Sequence, residues 1–308
     1  MSAPKGAGEA VDTLKKELRA MFAIPPRALQ LARIAVSIFA VALLLGVAFL
    51  LWQYLYPVSA AKGWDVRVAY DHIEKAAALE LDDNGNLIVS SELNGGKGSI
   101  LSIAPNDVRT SLIENLSKPD GLTTFNGALV FSQEAGEHAV SSYQNGVITP
   151  LFQGDNVQGL LADGDNLYAI EDRKGDGRLL RYDASDKTVD VLRSNLNEAE
   201  TVQICPNRQM YYNEKEKGVV RRLSTDGTDP VVLSGLKEPS FLYCDARGLW
   251  VSEDRTHRAR LLLLDNEGNL NVILTFLKAP QELIPAGDGK YLLAEGGRDR
   301  VLEITAPK

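Results

Sequence analysis

Charge of either sign is absent from Ile34 to Ala61, and histidine is scarce along the whole 308-residue chain, with only His72, His138 and His257. No two of these have the spacing of metal ligands, and no G-x-S-x-G nucleophile motif occurs, which argues against a serine or cysteine hydrolase. Excess positive charge is also missing beyond the first residues. The chain carries a formal −8, yet residues 1–33 hold Lys5, Lys15, Lys16, Arg19, Arg27 and Arg33 against Glu9, Asp12 and Glu17. The remainder is therefore strongly acidic, a poor binder of polyanions, and no nucleic acid is expected as a partner.

The uncharged run "IAVSIFAVALLLGVAFLLWQYLY" exceeds the roughly 20 apolar residues that cross a hydrocarbon core. It ends in Trp52, Tyr54 and Tyr56, whose rings suit the membrane interface. The basic excess ahead of it predicts an N-terminus in the cytoplasm and a body on the far side. A cleaved signal peptide is the rival, since "VSAAKG" offers small residues at a cleavage site, but the run is longer than a usual signal core. Before it, "EAVDTLKKELRAMF" places Val11, Leu14, Leu18, Met21 and Phe22 on one helical stripe, and Pro25 and Pro26 separate this helix from the next. The expected organisation is a tail over 1–33, a membrane helix over 34–56, a linker over 57–63 and a folded body over 64–308.

The body repeats. "KAAALELDDNGNLIVSSE" from Lys75, "KPDGLTTFNGALVFSQE" from Lys118 and "NVQGLLADGDNLYAIED" from Asn156 share an order of runs with "EAETVQICPNRQMYYNE" from Glu198, "KEPSFLYCDARGLWVSED" from Lys237 and "KAPQELIPAGDGKYLLAEGG" from Lys278. Each unit has an apolar run, a turn rich in Gly, Asn or Asp, a second run of the "LYVSE" kind, and then two further runs. Four short strands repeating at about 40 residues form the pattern of a β-propeller blade, and six repeats predict six four-stranded blades. The sixth repeat stops at three runs, in "RVLEITAPK". The missing outer strand is expected from "WDVRVAYDHI", with Val66, Val68 and Tyr70 beside Leu302 to Ile304; joining both ends of the chain removes an open sheet edge. "DDNGN" and "DRKGDG" read as hairpin turns, because Asn-Gly and Asp-Gly supply positive φ and the full spacing of an EF-hand is lacking.

On "PDGL" at 119–122, "NGNLIVSSE" at 84–92 and "LWVSED" at 249–254, residues 63–308 resemble the six-bladed propellers that include gluconolactonases, strictosidine-synthase-like proteins and the NHL-like group. A membrane anchor before such a propeller also resembles paraoxonases. In the lactonase members a divalent cation sits in the central tunnel on Glu, Asn and Asp side chains at the starts of innermost strands. The repeat places Ala77, Asp120, Gln158, Glu200, Ser240 and Gln281 at those starts here. The resemblance implies Asp120, Gln158 and Glu200, on three consecutive blades, as oxygen ligands for calcium. Asp120, Gln158, Glu200, Ser240 and Gln281 together are the expected tunnel ligand site.

Acids recur at the ends of second strands, as Glu92, Glu134, Glu171, Asp172, Glu214, Glu253, Asp254 and Glu295. The loops after them bring His138, Arg173, Arg178, Arg255, His257, Arg258, Arg298 and Arg300. This charged face is either a ring of salt bridges joining neighbouring blades or a recognition surface. Cys205 and Cys244 hold equivalent places in adjacent first strands, a pair that an exported body could oxidise, although neighbouring inner strands often lie beyond disulfide reach. "NLS" at 115–117 is a glycosylation sequon where that machinery exists. The functional expectation is a membrane-anchored exported propeller, facing a bacterial periplasm, that binds a protein partner or a small polar ligand on its loop face. The alternatives are a calcium-dependent lactonase or esterase-like hydrolase and an accessory subunit of a membrane complex.

Overall fold

The structure, a computed structural model, describes residues 6–21 and 26–307 and divides into two compact units, 1–56 and 57–308. In the first unit, α1 (Gly6–Met21) exposes Leu14, Leu18 and Met21. The Val11 side chain, Phe22 and Pro25, also read from the sequence, lie outside the described residues. The second helix, α2 (Pro26–Leu55), opens on proline, which suits a first turn whose N–H has no helical partner. It begins before the uncharged run and so carries Arg27 and Arg33 near its start. Among the described residues α2 is the one helix long and apolar enough to cross a membrane, and none of its apolar window is buried within the chain. At about 1.5 Å per residue it outreaches a hydrocarbon core of about 30 Å.

The second unit is the six-bladed propeller that the repeat predicts. Its innermost strands are Ala76–Leu81, Pro119–Phe125, Val157–Asp163, Val202–Ile204, Pro239–Asp245 and Pro280–Pro285, for blades 1 to 6 in chain order. Each meets the next around a ring, and the last meets the first. Within a blade the strands run outward in antiparallel order. Blade 6 closes as expected: Val66 pairs with Ile304 and Val68 with Leu302, while a register shift sets Tyr70 opposite Val301. Arg67 reinforces this seam with two hydrogen bonds to the Glu303 carboxylate, at 2.9 and 2.8 Å.

The segment expected as a bare linker is partly a strand. Ser59–Ala60 pairs with Thr275 and Leu274 and adds a fifth strand to blade 5. Trp64 then packs edge-on against Trp250, with ring centroids 5.6 Å apart, and beside Tyr291. The chain is thus fixed to two blades before its closing strand begins.

The apolar cores lie between blades. One joins Phe125, Val130 and Val140 of blade 2 to Val157, Leu167, Ala169 and Tyr182 of blade 3. A single blade exposes two apolar faces and cannot bury either alone, so the ring is the unit that removes this surface from water. Cys205 and Cys244 form a disulfide across blades 4 and 5, with Cα atoms 5.0 Å apart. The ring brings these strands closer than the general expectation for neighbouring blades.

Candidate functional site

The central tunnel is built by a device repeated six times. The residue that enters each innermost strand is left-handed: Lys75, Lys118, Asn156, Glu198, Glu238 and Ala279 all have φ between 41° and 54°. Three of them precede proline, where extended backbone is the normal preference. What holds them is a hydrogen bond repeated in all six blades. The carbonyls of these residues accept the N–H groups of Glu92, Glu134, Asp172, Lys215, Asp254 and Gly296 at 2.7–3.0 Å. The end of every second strand is thereby fixed beside the start of the first.

Successive strand residues face opposite sides, so adjacent acids at a strand end have separate fates. Glu171, Glu214, Glu253 and Glu295 turn into their blades and are buried. Their carboxylates take the backbone N–H groups of Asp155, Asn197, Lys237 and Lys278, at 2.8–3.2 Å. Arg178, Arg221, Arg260 and Arg300 close on them from the same blades. The Arg–Glu pairs close within a blade, whereas the N–H groups come from the chain leaving the preceding blade, so each buried acid latches its own blade to the one before it.

The alternate register faces the tunnel mouth, and here charge does cross between blades. The Lys118 ammonium bridges Glu92 of blade 1, at 3.3 Å, and Glu134 of blade 2. The Lys215 ammonium bridges Glu200 of blade 4, at 2.6 Å, and Asp254 of blade 5, at 2.8 Å. Lys215 stands where four other blades place an acid and blade 6 places Gly296. Asp172 lies within reach of both groups electrostatically. Burial and then the Glu134 charge push its carboxyl up to about 7, against the pull of Lys215 and Lys118.

Asp120, Gln158, Glu200, Ser240 and Gln281 are all buried at the strand starts, as the repeat placed them. An irregularity in pairing spans these positions in blades 2, 3, 5 and 6, freeing residues 120, 158, 240 and 281 from the neighbouring strand. Gly121 allows the resulting closeness, since a Cβ there would stand 2.4 Å from the Gln158 carbonyl oxygen of the next inner strand. The Ser240 hydroxyl lies 3.3 Å from that of Ser252. The other four behave differently. Asp120 Oδ1, Gln158 Oε1, Glu200 Oε2 and Gln281 Oε1 are buried, and no donor among the described residues reaches them; Asp172 Oδ1 joins this set. Burial drives the carboxyls of both Asp120 and Glu200 well above the usual range. Glu92 and Glu134 add to the effect at Asp120, and Asp254 and Asp172 at Glu200. The mouth is therefore rich in oxygen acceptors on blades 2 to 4, and poorer on blades 5, 6 and 1.

Oxygens of Glu92, Asp120 and Glu134 lie within 4.8 Å of one another, the spacing of ligands around a metal ion. This trio shares only Asp120 with the arc implied by the family resemblance. Glu92 and Glu134 join the site through the register of their strand ends, a signal that the sequence carried but did not separate from the latch acids.

No protein-family model matches the chain, and no curated protein matches it in sequence. Solved structures match in fold. A gluconolactonase from Xanthomonas campestris superposes with a TM-score of 0.65 at 13% identity, covering 80% of this chain and 91% of that one. An auxiliary nutrient binding protein from Bacteroides thetaiotaomicron gives 0.63 at 13%, over 83% and 78%. A streptogramin B lyase gives 0.58 at 11%, over 80% and 99%. At these identities the likeness establishes the six-bladed fold alone.

Proposed function

We propose that this chain is a membrane-anchored binding protein whose propeller is exported and holds a small polar ligand at the tunnel mouth, through hydrogen bonds donated by the ligand. One observation carries the reading: Asp120 Oδ1, Gln158 Oε1, Glu200 Oε2 and Gln281 Oε1 are buried acceptors without a donor among the described residues, at equivalent positions in four of the six blades. A buried polar atom left unpaired costs about 1–3 kcal/mol, so four in one tunnel favour an occupant that brings donors. Hydroxyl and amine groups supply them; carboxylate and phosphate groups do not, and they would also meet the acids of the mouth. The nutrient-binding structure among the fold matches is compatible with this role.

The experiment is thermal unfolding of the full chain in detergent with ethanolamine, glucose or acetate present. A rise with ethanolamine or glucose but not with acetate, lost in Gln158→Leu/Gln281→Leu, is the expected result. No response to either donor-bearing probe, or an equal response in the double variant, sinks the reading.

A metal-dependent lactonase or esterase-like hydrolase, with a cation on Asp120, Gln158 and Glu200, is the second reading. The close carboxylates of Glu92, Asp120 and Glu134 and the gluconolactonase folds favour it. The donors have the right chemistry for calcium, but neither arrangement fits a resident ion: Lys215 already holds Glu200 of the arc, and Lys118 holds Glu92 and Glu134 of the close trio, which leaves only Asp120 of the carboxylates. No catalytic step is therefore assigned to a metal.

A further inference from the structure

We propose that Lys118 is a built-in cation that masks a latent divalent-metal site formed by Glu92, Asp120 and Glu134. Two ligands bound at about 2.4 Å to one calcium ion can stand no more than about 4.8 Å apart. The three carboxylates meet that limit. A cluster of acids alone does not make a site, but Asp120 is 1% exposed and keeps an oxygen that no donor among the described residues satisfies. Two of the three carboxylates instead hold the Lys118 ammonium, Glu92 at 3.3 Å and Glu134 closer still.

The backbone explains why this lysine is delivered there. Lys118 is the left-handed entry residue of blade 2, two positions before Asp120, and its carbonyl is tied to the N–H of Glu134, the residue that its own ammonium binds. Main-chain and side-chain contacts thus fix both ends of the same residue. The other entry residues that carry a side-chain charge, Lys75, Glu198 and Glu238, have no comparable carboxylate pair among the described ion pairs. An ammonium satisfies carboxylates with three donors and one charge, whereas calcium requires six to eight oxygens and brings two charges. With Lys118 present, a metal would have to displace an ammonium that two carboxylates stabilise. With it gone, three acids remain around a space of ionic size. The consequence is a tunnel that keeps its shape without metal. This inference does not depend on what ligand the tunnel takes.

The test is calcium titration of the full chain in detergent, followed by calorimetry and thermal unfolding, for wild type, Lys118→Met and Lys118→Met/Asp120→Asn. Methionine keeps the length of the stem and leaves the backbone strain unchanged. The expected result is no saturable binding by the wild type, one calcium per chain with a raised melting temperature for Lys118→Met, and loss of that binding in the double variant. Stoichiometric calcium on the wild type, removed by Asp120→Asn, overturns the proposal; so does a folded Lys118→Met that takes no calcium. Should Lys118→Met fail to fold, Lys118→Gln, which keeps a donor, replaces it under the same criteria, and the wild-type titration stands by itself.

Discussion

Glu253 and Asp254 are neighbours in sequence with opposite roles, and strand alternation separates them. Glu253 is fully buried, accepts the Lys237 N–H at 2.8 Å and is gripped by Arg260 through two bonds at 2.7 and 2.6 Å. Asp254 lies at the tunnel mouth against Lys215, which keeps Glu200 as a second partner. Glu253→Ala should therefore cost about 2–4 kcal/mol, because it strands both a buried N–H and a guanidinium. Asp254→Ala should cost less than about 1 kcal/mol. Urea unfolding of the two variants checks this, and equal losses would refute the assignment of latch and mouth. Asp172 makes a second prediction. Its carboxyl binds a proton at about 7 in the folded protein, against an ordinary 3.8. Between those values the folded state holds a proton that the unfolded state has released, so this group's contribution to stability falls as pH rises from about 4 to about 7 and then levels off. Glu134 and Glu198 strengthen the shift, while Lys215 and Lys118 oppose it. Asp172→Asn should gain melting temperature relative to wild type at pH 8 and not at pH 4; a gain independent of pH would exclude the buried-acid account.

At the scale of elements, the strands were legible because period-two apolar runs between Gly, Asn and Asp turns have few other solutions. "NGNLIVSS" and "LWVSE" became the second strands Leu87–Ser91 and Gly248–Glu253, and even the closing strand was found, as Asp65–Tyr70. What escaped was irregular. Ser59–Ala60 is too short and too small to show a pattern, and it becomes a strand only because the outer edge of blade 5 offers it partners. The left-handed entry residues escaped as well. Lys118, Glu238 and Ala279 stand before proline, which predicts extended backbone, and only the repeated hydrogen bond from the second strand outweighs that preference. Gly121 shows the complementary case. It lies inside the strand Pro119–Phe125 and serves a close approach, with no room for a Cβ beside the Gln158 carbonyl, which only the neighbouring blade reveals.

At the scale of the whole molecule, the proposed export of the propeller makes a prediction, drawn from the basic residues ahead of the uncharged run and the disulfide between Cys205 and Cys244. In spheroplasts of a bacterial host, protease added outside should degrade the propeller and spare the residues before α2; complete protection of the propeller would reverse the orientation. Composition and periodicity, local properties that survive without a fold, determined that there is a membrane-length helix, that six blades follow it, and that Asp120, Gln158, Glu200, Ser240 and Gln281 share one level of a ring. Only the closed ring decided which acids face the tunnel and which latch a blade, because that depends on strand register across neighbours about 40 residues apart. It also decided that Glu200, one of the carboxylates implied as metal ligands, is held by Lys215, and that Lys118 sits on Glu92 and Glu134 beside Asp120. Lys118 and Lys215 look in sequence like ordinary surface cations; they become counterions because closure brings carboxylates from two blades around each ammonium.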